Sequence, residues 1–71
     1  MNKQTMETPA MIEELLGIRR VMSMTGLGRA FIYEKIKLNE FPKAIRIGRR
    51  ALWIQSELQE WIQERISANR R

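Results

Sequence analysis

At 71 residues the chain has room for one small core, because so short a chain buries only a modest share of its surface. It contains no cysteine and no histidine, which excludes a disulfide staple, a zinc site of the usual Cys/His kind, and thiol or imidazole catalysis. Thirteen Lys and Arg against eight Asp and Glu leave a net charge of +5, a balance that favours a polyanionic partner, nucleic acid first among them.

The apolar runs are only a few residues long, far short of the roughly 20 that cross a bilayer, and the opening MNKQTMETPAMIEE lacks a basic stretch followed by an apolar one. We therefore expect a cytoplasmic protein with no membrane partner. Residues 1–14 set Lys3 against Glu7, Glu13 and Glu14, include Pro9 and show little periodicity, the composition of a flexible leader.

From Leu15 the pattern tightens. Leu15, Ile18, Val21, Met22 and Met24 fall close to helical spacing up to Thr25-Gly26, which predicts a first helix. Only Leu27 and Gly28 separate it from a second periodic run, Arg29 to Leu38, in which Ile32 and Ile36 sit four apart on one face. Phe41-Pro42 ends that run, since proline pushes its predecessor towards extended geometry. Ile45 and Ile47 then alternate with Arg46, Gly48-Arg49-Arg50 reads as a turn, and Leu52-Trp53-Ile54 resumes an apolar run, which together predict a short β-hairpin. A last helix starts near Ser56, with Ser56 and Gln59 at capping-box spacing and Leu58, Trp61, Ile62 and Ile66 forming a stripe. Ile32, Ile36, Trp53, Leu58, Trp61 and Ile62 are the expected core.

The predicted fold is mainly α with a small β-hairpin, in the order α-α-β-β-α. This is a winged helix-turn-helix over residues 15–66, with the helix-turn-helix at 18–38, the basic wing at 43–53 and a basic tail at 67–71.

Charge is unevenly spread. Residues 41–56 hold four cations, Lys43, Arg46, Arg49 and Arg50, and no acid, whereas residues 57–66 sum to −2. Edge hairpins do carry charge to prevent edge-to-edge pairing, but that need explains one or two cations, not four without a compensating acid. Phosphate binding explains all four.

A recognition helix needs an apolar face to hold it and an outer face that reaches base edges in a major groove about 12 Å wide. With Ile32 and Ile36 inward, Arg29, Ala30, Tyr33, Glu34 and Lys37 remain outside. Arg29 suits a guanine edge or a phosphate at the helix start. Tyr33 suits either a phosphate contact or half-buried packing, Phe31 a core or interface position, and Glu34 a solvated face. Arg19 and Arg20 suit either backbone phosphates or plain solubility. The candidate DNA-binding set is thus Arg19, Arg20, Arg29, Ala30, Tyr33, Lys37, Lys43, Arg46, Arg49 and Arg50.

The strings IRRVMSMTGLGRAFIYEKI and EFPKAIRIGRRALWIQSELQEWI carry Thr25-Gly26-Leu27, Ile32-Tyr33, Phe41-Pro42-Lys43, Gly48-Arg49-Arg50, Trp53, and Ser56-Glu57 leading to Trp61-Ile62. In this order and spacing, over residues 15–66, they resemble the AlpA family of prophage regulatory proteins, within the MerR-like and excisionase-like winged-helix group. The resemblance implies a regulator of phage or mobile-element promoters, or an excisionase that bends attachment-site DNA. Family members usually carry a serine where Gly28 stands and small polar residues where Ala30 and Phe31 stand, so the family's base contacts do not transfer to this chain.

The expected partner is double-stranded DNA, with self-association on DNA, RNA polymerase and a recombinase as open alternatives. A transcription regulator leads, an excisionase is the nearest rival, and a protein-interaction module using Phe31, Trp53 and the acidic last helix is a rival of another class. No cofactor is expected, nor enzyme activity, because the chain offers only scattered carboxylates and no phosphate-cradling glycine motif.

Overall fold

The computed structural model describes residues 13–70; the leader expected at 1–14 falls outside the described residues except for its last two positions, and so does Arg71. The elements run β1 (Leu15–Leu16), α1 (Ile18–Thr25), α2 (Arg29–Lys37), β2 (Ile45–Ile47), β3 (Arg50–Ile54) and α3 (Gln55–Asn69). This is the expected α-α-β-β-α order, preceded by a two-residue strand that the sequence pattern did not announce.

Leu15 and Leu16 are extended, not the start of the first helix. They pair antiparallel with β3, Leu15 opposite Ile54 and Leu16 opposite Trp53, so the hairpin becomes a three-stranded sheet in the order β1-β3-β2. The ladder continues as Gln55 donates its backbone N–H to the Glu14 carbonyl at 2.9 Å. Apolar spacing alone could not separate these two leucines from the helix behind them, because two residues are too few to establish a period.

The hairpin closes through Gly48 and Arg49, with Ile47 opposite Arg50. Gly48 has φ of +61°, and among the described residues Asn39 is the only non-glycine with positive φ. Glycine at the first central position alone is what a type II′ turn demands.

Two further positive-φ residues shape the helix ends. Gly26, at φ of +76°, ends α1 and donates its N–H to the Met22 carbonyl at 2.8 Å. Thr25 locks the same turn: its hydroxyl donates to the Val21 carbonyl at 2.8 Å and accepts the Leu27 N–H at 3.2 Å. Asn39, at φ of +61°, ends α2 in a Schellman arrangement, with Glu40 N–H donated to Lys35 O and Asn39 N–H to Ile36 O.

The core consists of Leu16, Val21, Ile32, Trp53 and Leu58, one each from β1, α1, α2, β3 and α3, with Phe41 from the loop after α2. Trp53 has no exposed surface, and its indole N–H is satisfied by the Pro42 carbonyl at 3.0 Å. Ile36, Trp61 and Ile62 pack against this cluster but are only partly buried. The expectation that Trp61 is fully core is therefore corrected: its ring leans on Phe41, centroids 4.6 Å apart, and its N–H reaches the Glu40 carbonyl at 3.0 Å on the surface.

The capping box expected at Ser56 is also absent. Strand β3 runs into α3 without a loop, so Ile54 is the N-cap and Ser56 lies inside the first turn, where its hydroxyl donates to Glu13 Oε2 at 2.8 Å. Glu57 in the first turn favours the positive helix end instead. The helix continues through Asn69, three residues into the stretch expected as a tail.

Trp53→Ala should cost roughly 3–5 kcal/mol, enough to leave much of so small a domain unfolded, while the half-buried Trp61→Ala should cost distinctly less. Equal losses in urea melts of the two variants would contradict this packing. Gly26→Ala should cost about 1–2 kcal/mol because it forces a Cβ into left-handed backbone. Gly28→Ser, at an ordinary φ of −81° with open space around it, should gain a few tenths of a kcal/mol by capping α2; the two melting temperatures check both signs.

Candidate nucleic-acid interface

Helix α2 is held on the domain by Ile32, fully buried, and Ile36. Successive residues turn by about 100°, so the direction opposite these two isoleucines carries Ala30, Glu34 and Lys37. All three are exposed, as is Arg29 in the first turn. The two flanks of the helix differ. Tyr33 lies on the sheet side, its ring edge-on to Trp53 with centroids 6.2 Å apart. Its ring packs while much of the side chain stays exposed, so packing and access to a partner coexist. Phe31 and Lys35 lie on the other flank, and the Lys35 ammonium sits 5.3 Å from the Phe31 ring centre.

The register of the hairpin sorts its cations. Arg46 stands opposite Ala51, on the sheet face that also carries Trp53 and Leu16 and hence on the side of α2. Arg50 shares the other face with Ile45, Ile47 and Leu52. Its guanidinium lies against Gly17, where a Cβ would come within 3.2 Å of Nη2, so the absent side chain at Gly17 leaves it room. Gly17 is the N-cap of α1, whose exposed Arg19 and Arg20 follow directly. Arg49 sits in the turn and Lys43 ahead of β2, both exposed. The four cations that look like one cluster in sequence therefore occupy both faces and the tip of the wing.

Among the described residues the one ion pair is Lys35 with Glu40, at 3.1 Å. None of the candidate cations, Arg19, Arg20, Arg29, Lys37, Lys43, Arg46, Arg49 or Arg50, is tied to an acid there. Charges that are neither buried nor neutralised by a neighbour remain available to an anionic partner. Among the described residues no group of His, Cys, Asp and Glu has the composition to hold a metal ion, and no helix is long and apolar enough to cross a membrane.

Two expectations about aromatic residues change. Phe31 is 48% exposed and so is not core, and Trp53, fully enclosed, is not accessible to a binding partner as the interaction-module reading required. Sequence reasoning missed Gly17 as the seat of Arg50, because the signal is a strand-to-helix junction recognisable only once β1 is placed. It also missed that the acids of α3 share a groove with Phe31.

The family model described as prophage CP4-57 regulatory protein (AlpA) matches residues 14–66. The chain is 37% identical over 60 residues to the uncharacterized protein ORF88 of Enterobacteria phage P4, an overlap of 83% of this chain and 68% of that protein. It is 40% identical over 42 residues to the response regulator inhibitor for tor operon of Escherichia coli (strain K12), and equally to the probable excisionase hkaC of Shigella phage Sf6. Each of these two overlaps takes in 59% of this chain and 64% of the relative, so the chain spans just under two thirds of their length. No solved structure matches it.

Proposed function

Because the chain belongs to the AlpA family of prophage regulatory proteins, we propose that it is a sequence-specific, duplex-DNA-binding regulator of phage or mobile-element genes. The observation that carries this reading is a set of exposed cations without an ion pair, spread over the start of α1, the start and outer face of α2 and the wing, with Glu34 as the acid on the outer face of α2, while Glu57, Glu60 and Glu64 of α3 line the groove beside Phe31. In this reading α2 enters the major groove with Arg29, Ala30 and Lys37 towards base edges, and Tyr33, on the flank nearer the sheet, reaches the phosphate backbone. Arg46, Arg49 and Arg50 grip backbone on both sides of the wing, and Lys43, Arg19 and Arg20 extend the footprint. The ordered turn at Thr25-Gly26 sets the angle between α1 and α2, so the reading helix arrives already oriented and loses little entropy on binding.

The second reading, favoured by the likeness to a probable excisionase, keeps these contacts and adds bending of attachment-site DNA. Footprints over a promoter support regulation of transcription; tandem footprints within an attachment site, with electrophoretic signs of bending, support excision.

Affinity for duplex DNA should fall by orders of magnitude between low and moderate salt, since several phosphates are neutralised. Arg49→Ala or Arg50→Ala should weaken binding to all duplexes alike and lower the slope of log affinity against log salt by about one. Arg29→Ala should instead cost about 1–3 kcal/mol on the preferred site and relax preference at one base pair. Binding titrations across salt concentrations and site variants distinguish the two behaviours, and salt-independent association, or none, would overturn the proposal.

A further inference from the structure

On the flank of α2 that faces away from the sheet, the surface falls into an open groove between α2 and α3. Its floor is apolar: Leu27 from the turn, Phe31 from α2, and Trp61 and Ile66 from α3. Phe31 and Ile66 are 48% and 41% exposed, an unusual outlay for large apolar side chains that share one concavity. The wall along α3 carries Glu57, Glu60 and Glu64, none of them paired with a cation among the described residues. Two cations also line the groove, Lys35, which is paired with Glu40 at 3.1 Å, and Arg65, whose guanidinium lies 5.9 Å from the Trp61 ring centre, and against them stand the carboxylates of Glu40, Glu57, Glu60 and Glu64, so the lining keeps an acidic excess.

We infer that this groove is a docking site for a basic amphipathic helix of a partner protein. Charge selects the partner: an apolar floor beside three free carboxylates matches a helix with an apolar stripe edged by Lys or Arg. The same charge disfavours a symmetric pair of copies joined through this face, because it would set one acidic wall against the other. Backbone chemistry selects a helix over an extended segment, since the groove is built from helix and loop side chains and exposes no strand edge to a peptide's N–H and C=O groups. Length agrees, for the stretch of α3 from Glu57 to Asn69 is about 18 Å, room for roughly three helical turns anchored at i, i+3 or i+4, and i+7.

The groove also stays open when duplex DNA is held as proposed above, because phosphates avoid the acidic wall. The inference does not depend on that reading, since the floor and wall exist without DNA. It gives the chain a second face, through which a protein carrying such a helix is held beside α2.

The test uses the full chain and a synthetic helical peptide of leucine and lysine, about four turns long with leucine at i, i+3, i+4 and i+7, alongside a counterpart with glutamate replacing lysine. The chain has two tryptophans, so its indole N–H resonances form a built-in pair: Trp61 in the groove and Trp53 in the core. The lysine peptide should shift the Trp61 indole and Phe31 ring signals and leave Trp53 in place. Phe31→Ser, and separately the double variant Glu60→Lys with Glu64→Lys, should weaken its binding about tenfold or more, with no loss of affinity for duplex DNA. Equal binding of the glutamate peptide, or peptide binding that leaves Trp61 unmoved, would overturn the proposal. So would a dimer in sedimentation equilibrium that Phe31→Ser abolishes, or contacts between residues 1–12 and Trp61 in the free chain, since either would give the groove another occupant. Failure of DNA binding in the salt titrations leaves these readouts unchanged, so the two proposals fail separately.

Discussion

Strand β3 touches β1, β2, α1 and α3, and the indole of its Trp53 also meets Tyr33 of α2, so the elements join around the largest of the fully enclosed side chains. A chain of this size has no second core to fall back on. Burying an indole there gives a large apolar surface in a single residue, provided its N–H finds a partner. The Pro42 carbonyl is that partner, and the same bond ties the loop after α2 to the sheet. Position of α2, position of the hairpin and stability of the core are thus one constraint.

That constraint explains how a very small protein presents two unlike surfaces. The sheet carries α2 by its Tyr33 flank and the wing by its hairpin, so the cations of α2 and of the wing are borne by the same small sheet. Helix α3 packs on β3 through Leu58 and extends beyond the body, so its acids gather on the far flank beside Phe31. A net charge of +5 conceals this separation. The local distribution of charge, more than the total, sets the potential that each surface presents.

The outer face of the sheet adds a smaller lesson. Ile45, Ile47 and Leu15 remain exposed there, while Arg50 lies across Gly17. Charge and a tight turn at the wing tip oppose pairing of such a short apolar edge with another strand.

By itself the sequence determined the order of the three helices and the hairpin, the helix-turn-helix break at Thr25-Gly26, the hairpin turn at Gly48 and the exclusion of Cys/His chemistry. Each of these is local: a proline or glycine fixes backbone geometry, and a 3.6-residue or two-residue period needs only a few neighbours to register. It also carried the family, through motifs spaced along residues 15–66. What tertiary structure decided is what distant residues do to each other. Leu15-Leu16 became a strand because β3 offered an edge, Trp61 settled partly buried against Phe41, and Ser56 lost its capping role because β3 passes straight into α3. Likewise Arg46 and Arg50 parted to opposite faces through strand register, and the acids of α3 came to stand beside Phe31 of α2. No period or motif encodes such pairings, since they depend on how three helices and one small sheet pack around a single cluster.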